Sequence, residues 1–118
     1  MESVSFITTE DGDDLIVSFA VEEHDDFDVK SLTLIRTPKY EFALYDFERG
    51  VNISYDDFFE DEDDLLEEIE IAGDVVNITT THRTYNVNIR LVDDGEVKEF
   101  KKVLKKMNFD NRFKLKIV

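Results

Sequence analysis

The stretch EEIEIAGDVVNITTTHRTYNVNIR, running from Glu67 to Arg90, decides how the rest of the chain is read. Apolar and polar residues alternate through it with the period of two that marks a half-buried strand. Gly73-Asp74 suits a tight turn, which sets Ile71 against Val76 and Ile69 against Ile78. Closing the next hairpin at His82-Arg83 sets Thr80 against Tyr85, Ile78 against Val87 and Val76 against Ile89. Both placements collect one apolar face, and a one-residue slip in either hairpin would scatter it. The opposite face gathers Glu68, Glu70, Asn77, Thr79, Thr81, Thr84, Asn86, Asn88 and Arg90.

Toward the N-terminus the same period recurs. Val4, Phe6 and Thr8 lead to Asp11-Gly12, and Leu15, Val17, Phe19 and Val21 follow. Asp-Gly favours a type I′ hairpin, and a turn centred there pairs Phe6 with Val17 and Val4 with Phe19. Residues 22–30 are polar and read as a loop. A turn on Pro38-Lys39 joins predicted strands Ser31–Arg36 and Tyr40–Asp46, setting Ile35 against Phe42, Thr33 against Leu44 and Arg36 against Glu41. A further turn through Phe47–Gly50 leads to Val51–Tyr55, with Leu44 against Ile53 and Phe42 against Tyr55.

Toward the C-terminus the period changes. Val97, Phe100, Leu104 and Met107 fall on one helical face between Asp93 and Met107. Asp93 with Glu96 three residues on resembles a capping box, and the lysines that close the segment suit a helix C-terminus. Phe113, Leu115 and Ile117 then alternate with lysines, as a last strand would. The expected fold is α+β over a single domain, residues 1–118. It consists of mostly antiparallel β-meanders, about eight strands in a curved sheet or half-barrel, with one C-terminal helix packed on the sheet.

Composition agrees with one core: 118 residues are 42% apolar, with 10 Phe and 4 Tyr. With no Cys there is no disulfide, thiolate metal site or cysteine nucleophile. No secretory signal and no membrane-length apolar run is visible, so a soluble cytoplasmic protein is expected. The formal charge of −15 opposes nucleic acid and anionic membranes and attracts basic partners. It is unevenly spread. Residues 1–74 carry 24 acids and 4 bases, net −20; residues 75–118 carry 5 acids and 10 bases, net +5. Lys98, Lys101, Lys102, Lys105 and Lys106 read as the solvated face of the helix rather than a nucleic-acid surface.

Catalytic constellations are not evident. His24 lies among carboxylates in a loop, and His82 sits at a predicted hairpin tip, neither beside a nucleophile and an orienting group. With 29 acids, some carboxylate pair always has suitable spacing, so pairing is uninformative, and a sugar cleft would want the Trp this chain lacks. Asp61–Leu65 and Asp11–Leu15 both fail the EF-hand pattern, having Leu at its fifth position. No catalytic residue, metal or cofactor is expected.

The acidic run YDDFFEDEDDLLEE, Tyr55 to Glu68, remains, with nine carboxylates in fourteen residues. If Asp57–Glu68 were helical its charges would lie about 2.2 Å apart along the axis, near the roughly 1.7 Å of duplex DNA. Aromatics interleave the charge, as in interfaces that combine an anchor with steering. The expected function is a non-enzymatic acidic protein-binding module for a basic protein, in its most specific form an immunity- or inhibitor-type protein that blocks a basic toxin or nuclease by charge mimicry. The expected docking residues are Asp56, Asp57, Phe58, Phe59, Glu60, Asp61, Glu62, Asp63 and Asp64, extended by Glu68 and Glu70. The alternatives are a structural homo-oligomer and, behind it, a small enzyme.

Overall fold

The computed structural model describes residues 1–22, 29–55 and 64–118. Among these are eight strands: β1 (Glu2–Asp11), β2 (Leu15–Glu22), β3 (Val29–Arg36), β4 (Asn52–Tyr55), β5 (Leu66–Ala72), β6 (Val75–Thr80), β7 (Thr84–Asn88) and β8 (Lys114–Ile117). One helix, α1 (Asp94–Met107), packs on them. The strands form one mixed sheet in the order β4-β3-β2-β1-β7-β6-β5-β8, not closed into a barrel. The α+β expectation of a curved, mostly antiparallel sheet with a C-terminal helix is met.

The deciding stretch folds largely as its pattern dictates. β5 and β6 pair Ile71 with Val76 and Ile69 with Ile78 around Gly73, whose φ of +60° is the left-handed conformation the turn requires. The next hairpin differs by two residues: Val76 pairs with Val87, and Ile78 with Tyr85. A two-residue shift preserves which side chains face inward, so the apolar pattern does not distinguish the two registers. The turn moves to Thr81-His82 and is closed by its own bonds, since Thr80 N–H donates to Arg83 O at 2.8 Å and Thr80 Oγ1 accepts from Arg83 N–H at 3.0 Å.

Two N-terminal expectations are corrected. The β1–β2 hairpin pairs Ile7 with Phe19 and Asp11 with Leu15, so its loop runs through Gly12, Asp13 and Asp14. Gly12 is not among the glycines at positive φ, so the type I′ turn does not form. A bulge between Val4 and Phe6 changes the parity of β1. Val4 and Ile7 therefore both point inward, while Phe6 is 48% exposed.

No strand forms over Tyr40–Asp46. Two short 3-10 helices, Pro38–Ala43 and Asp46–Glu48, stand there instead, and β4 pairs directly with β3, Leu34 opposite Ile53 and Leu32 opposite Tyr55. With β2 on its other side, β3 has no edge left for a further strand. The segment also suits no one-faced strand, because Tyr40, Phe42 and Leu44 fall on one parity and Tyr45 and Phe47 on the other.

Two features give the sheet its curl. β1 meets β7 through only two parallel pairs, Glu2 with Val87 and Ser3 with Asn88. The outer edge of β5 is shared. β8 runs parallel to Glu68–Ile71, while β4, first in the order, returns to the start of β5. There Asn52 bridges Leu65, Leu66 N–H donates to Val51 O at 2.8 Å, and Ile53 N–H donates to Asp64 O at 3.2 Å. The sheet thus curls toward closure without achieving it.

α1 lies across β1 and β2, burying Phe100, Val103, Leu104 and Met107. Phe100 meets Phe19 edge-on with ring centroids 5.1 Å apart. Asp93 caps the helix, accepting from Gly95 N–H at 3.0 Å. The expected capping box is only half made. Glu96 accepts from Ile7 N–H at 2.7 Å instead, tying the helix to β1 beside the bulge.

Candidate protein-binding site

Asp56, Asp57, Phe58, Phe59, Glu60, Asp61, Glu62 and Asp63 lie outside the described residues, as does His24. The structure does place the ends of the acidic run. Tyr55 closes β4, and Asp64 returns beside Ile53. Asp64 is 2% exposed, and its carboxylate accepts from His82 N–H at 3.1 Å. That carboxylate therefore ties the approach to β5 to the β6–β7 turn and stands apart from the expected docking charges.

Glu68 and Glu70 lie on the polar outer face of β5, opposite Lys114 and Lys116 in the parallel register with β8. Lys116 Nζ is 3.8 Å from Glu68 Oε1. The last strand thus offsets these two acids, and the Asn/Thr face beside them is polar without being strongly acidic. On α1, Lys106 pairs with Asp11 of β1. Among the described residues no group of three His, Asp or Glu side chains is placed to hold a metal ion. None of their helices is long and apolar enough to cross a membrane.

The most conspicuous surface is one the alternation pattern assigned to a strand. Tyr40, Phe42, Tyr45 and Phe47 are 61%, 81%, 72% and 76% exposed. Tyr45 and Phe47 stack with centroids 5.7 Å apart and planes 2° from parallel. These rings do not dangle, because charged bridges pin the segment at two points. Arg36, 1% exposed at the end of β3, grips Glu41 with two bonds, Nε to Oε2 and Nη2 to Oε1, each 2.8 Å. Its remaining N–H groups reach Asp110 at 2.8 and 2.9 Å and Met107 O at 2.7 Å, and Phe109 lies against its guanidinium at 4.2 Å. Arg112 continues the chain of charges, bonding Asp110 at 2.9 Å and the carboxylate of Asp46 at 2.6 Å.

These contacts set the local electrostatics. Burial opposes the charge of Arg36, but its bonds to Glu41 and Asp110 outweigh burial and raise its pKa above the ordinary arginine value. Asp110 is held well below the usual carboxylate range by its hydrogen bond from Arg36, with Arg112 adding to the effect. Asp46 is lowered by its bond from Arg112.

Behind the aromatic segment lies an open cavity of about 320 Å³, lined by residues that include Ile35, Thr37, Tyr40, Leu44, Glu48 and Asn52. Comparison with family models, with curated proteins and with solved structures finds no match for this chain. The site is therefore interpreted from its own chemistry. It offers exposed aromatic faces, carboxylates already committed to arginines, and a carboxylate, Glu48, whose only partner among the described residues is Tyr45 N–H at 3.2 Å. Sequence reasoning missed the segment because its Tyr40–Phe42–Leu44 alternation imitates a strand. The signal that distinguishes it is the switch of parity at Tyr45 and Phe47.

Proposed function

We propose that the chain is a non-enzymatic protein-binding module that engages a basic protein. The observation that carries this reading is the clamped aromatic segment. Four exposed rings, two of them stacked, stand on a segment that Arg–carboxylate bridges tie at Glu41 and Asp46, and exposed apolar surface of this kind marks protein interfaces. Aromatic side chains supply most of the energy in such interfaces, and holding them rigid beforehand lowers the ordering cost of association. The sign of the partner follows from the field: net −20 in residues 1–74, which contain the aromatic segment and the acidic run. In its most specific form the role is that of an immunity- or inhibitor-type protein, with residues 56–63 steering a cationic toxin or nuclease toward the aromatic anchor.

The test is affinity capture from the cell of origin with the wild-type chain and a Phe42→Ser/Phe47→Ser variant. The reading expects a basic protein that is held at low salt, released by salt, and not held by the variant. Equal capture by both, or no basic protein captured, rejects it.

A further inference from the structure

We infer that the cavity behind the aromatic segment seats a cationic side chain of the partner, an arginine in preference to a lysine. The inference rests on the reading that the chain binds a basic protein, and it names the contact that selects that partner. About 320 Å³ is enough for one long side chain. Ile35 and Leu44 give apolar wall for a methylene stem, and Tyr40 gives an aromatic ring at the rim.

Of the polar groups, Glu48 and Thr37 present acceptors, while the Asn52 amide and the Tyr40 hydroxyl can donate as well. Glu48 Oε2 takes one bond from Tyr45 N–H, which fixes the carboxylate, and among the described residues no cation neutralises it. The Thr37 hydroxyl gives its proton to Asp14 Oδ1 at 2.7 Å, so toward the cavity its oxygen only accepts. Glu41 also lines the cavity, but both its oxygens are held by Arg36. The free Glu48 carboxylate, with the Thr37 acceptor beside it, favours a charged group that only donates, guanidinium or ammonium, over a carboxylate or phosphate. Tyr40 already attracts one cation, Lys39 Nζ, 5.6 Å from its ring centroid, while Asp13 holds that amine from the other side at 3.3 Å. Arginine is preferred because its flat, forked group stacks on a ring and meets a carboxylate with two bonds at once.

The experiment is a nitrogen-15 NMR titration of the full chain with three capped tripeptides, Gly-Arg-Gly, Gly-Lys-Gly and Gly-norleucine-Gly. The expected result is saturable shifts at the amides of Thr37, Tyr40, Leu44 and Asn52 with the arginine peptide. The same shifts are weaker with lysine and absent with norleucine, and Glu48→Gln weakens the arginine response about tenfold, the loss of one charge-assisted contact. Glu48 is exposed, so the variant keeps its fold, and an unchanged melting temperature checks this. Shifts scattered over acidic residues elsewhere, or an arginine response that survives Glu48→Gln, overturn the inference. The titration needs no natural partner, so its failure is separable from that of the binding-module reading. A basic protein captured equally by wild type and Glu48→Gln removes the seat and leaves the module.

Discussion

All five N–H groups of Arg36 end on acceptors inside the protein, and this one side chain joins β3, the aromatic segment, the end of α1 and the loop before β8. Half of this was legible. The sequence set Arg36 against Glu41 across a hairpin; the pair forms, but a 3-10 turn brings it together rather than two strands. Asp110 was not legible, because nothing local links residues 74 positions apart. Arg36→Met should lower unfolding free energy by about 3 kcal/mol in urea melts, since it strands the largely shielded Glu41 carboxylate and leaves Asp110 with Arg112 alone. Arg36→Lys should fail to restore it, because an ammonium does not reproduce two forked contacts. Asp110 makes the same network sensitive to acid. Its folded pKa is depressed, so its contribution to stability is present above its ordinary value of 3.8 and is lost as pH falls below it. Melting temperatures should therefore hold level from pH 7 to 5 and fall below about 4, and Asp110→Asn should flatten that fall.

Among the elements, the β5–β6 pair was the most readable, and the reason lies in its turn. Gly73 must be left-handed at φ +60°, and that requirement fixes the β5–β6 register. Gly12 occupies an equally suggestive Asp-Gly pair, yet it is not left-handed, and the β1–β2 register slid to a longer loop around it. Both glycines have open space where a Cβ would go, so the two substitutions isolate backbone conformation. Gly73→Ala should cost about 1 kcal/mol. Gly12→Ala should be neutral or stabilise by about 0.5 kcal/mol, through loss of unfolded-state freedom. Chemical denaturation of the two variants decides the matter, and equal losses at both sites would restore the type I′ turn. The bulge in β1 was illegible because its anchor comes from elsewhere: Glu96 of α1 takes the Ile7 N–H.

At the scale of the molecule, the two-pair β1–β7 ladder is a seam between β4–β3–β2–β1 and β7–β6–β5–β8. α1 lies in sequence between β7 and β8 of the second group but packs on β1 and β2 of the first, so it bolts the seam. Phe100→Ala should cost about 4 kcal/mol and should raise amide exchange in both groups together, because the bolt rather than the ladder carries the join. Strand order was not legible in the sequence, because hairpin patterns fix neighbours within a meander and say nothing of how meanders meet. The surface behaves oppositely to the core. Phe42→Ser/Phe47→Ser should leave the melting temperature within a degree or two, since both rings already stand in solvent. The pinning of Val51, Asn52 and Ile53 to Asp64, Leu65 and Leu66 has an engineering consequence. Backbone bonds hold the start of β5 beside β4 independently of the covalent link through residues 56–63. A chain cut between Tyr55 and Asp64 should therefore leave two pieces that stay assembled and co-purify, a ready-made split protein.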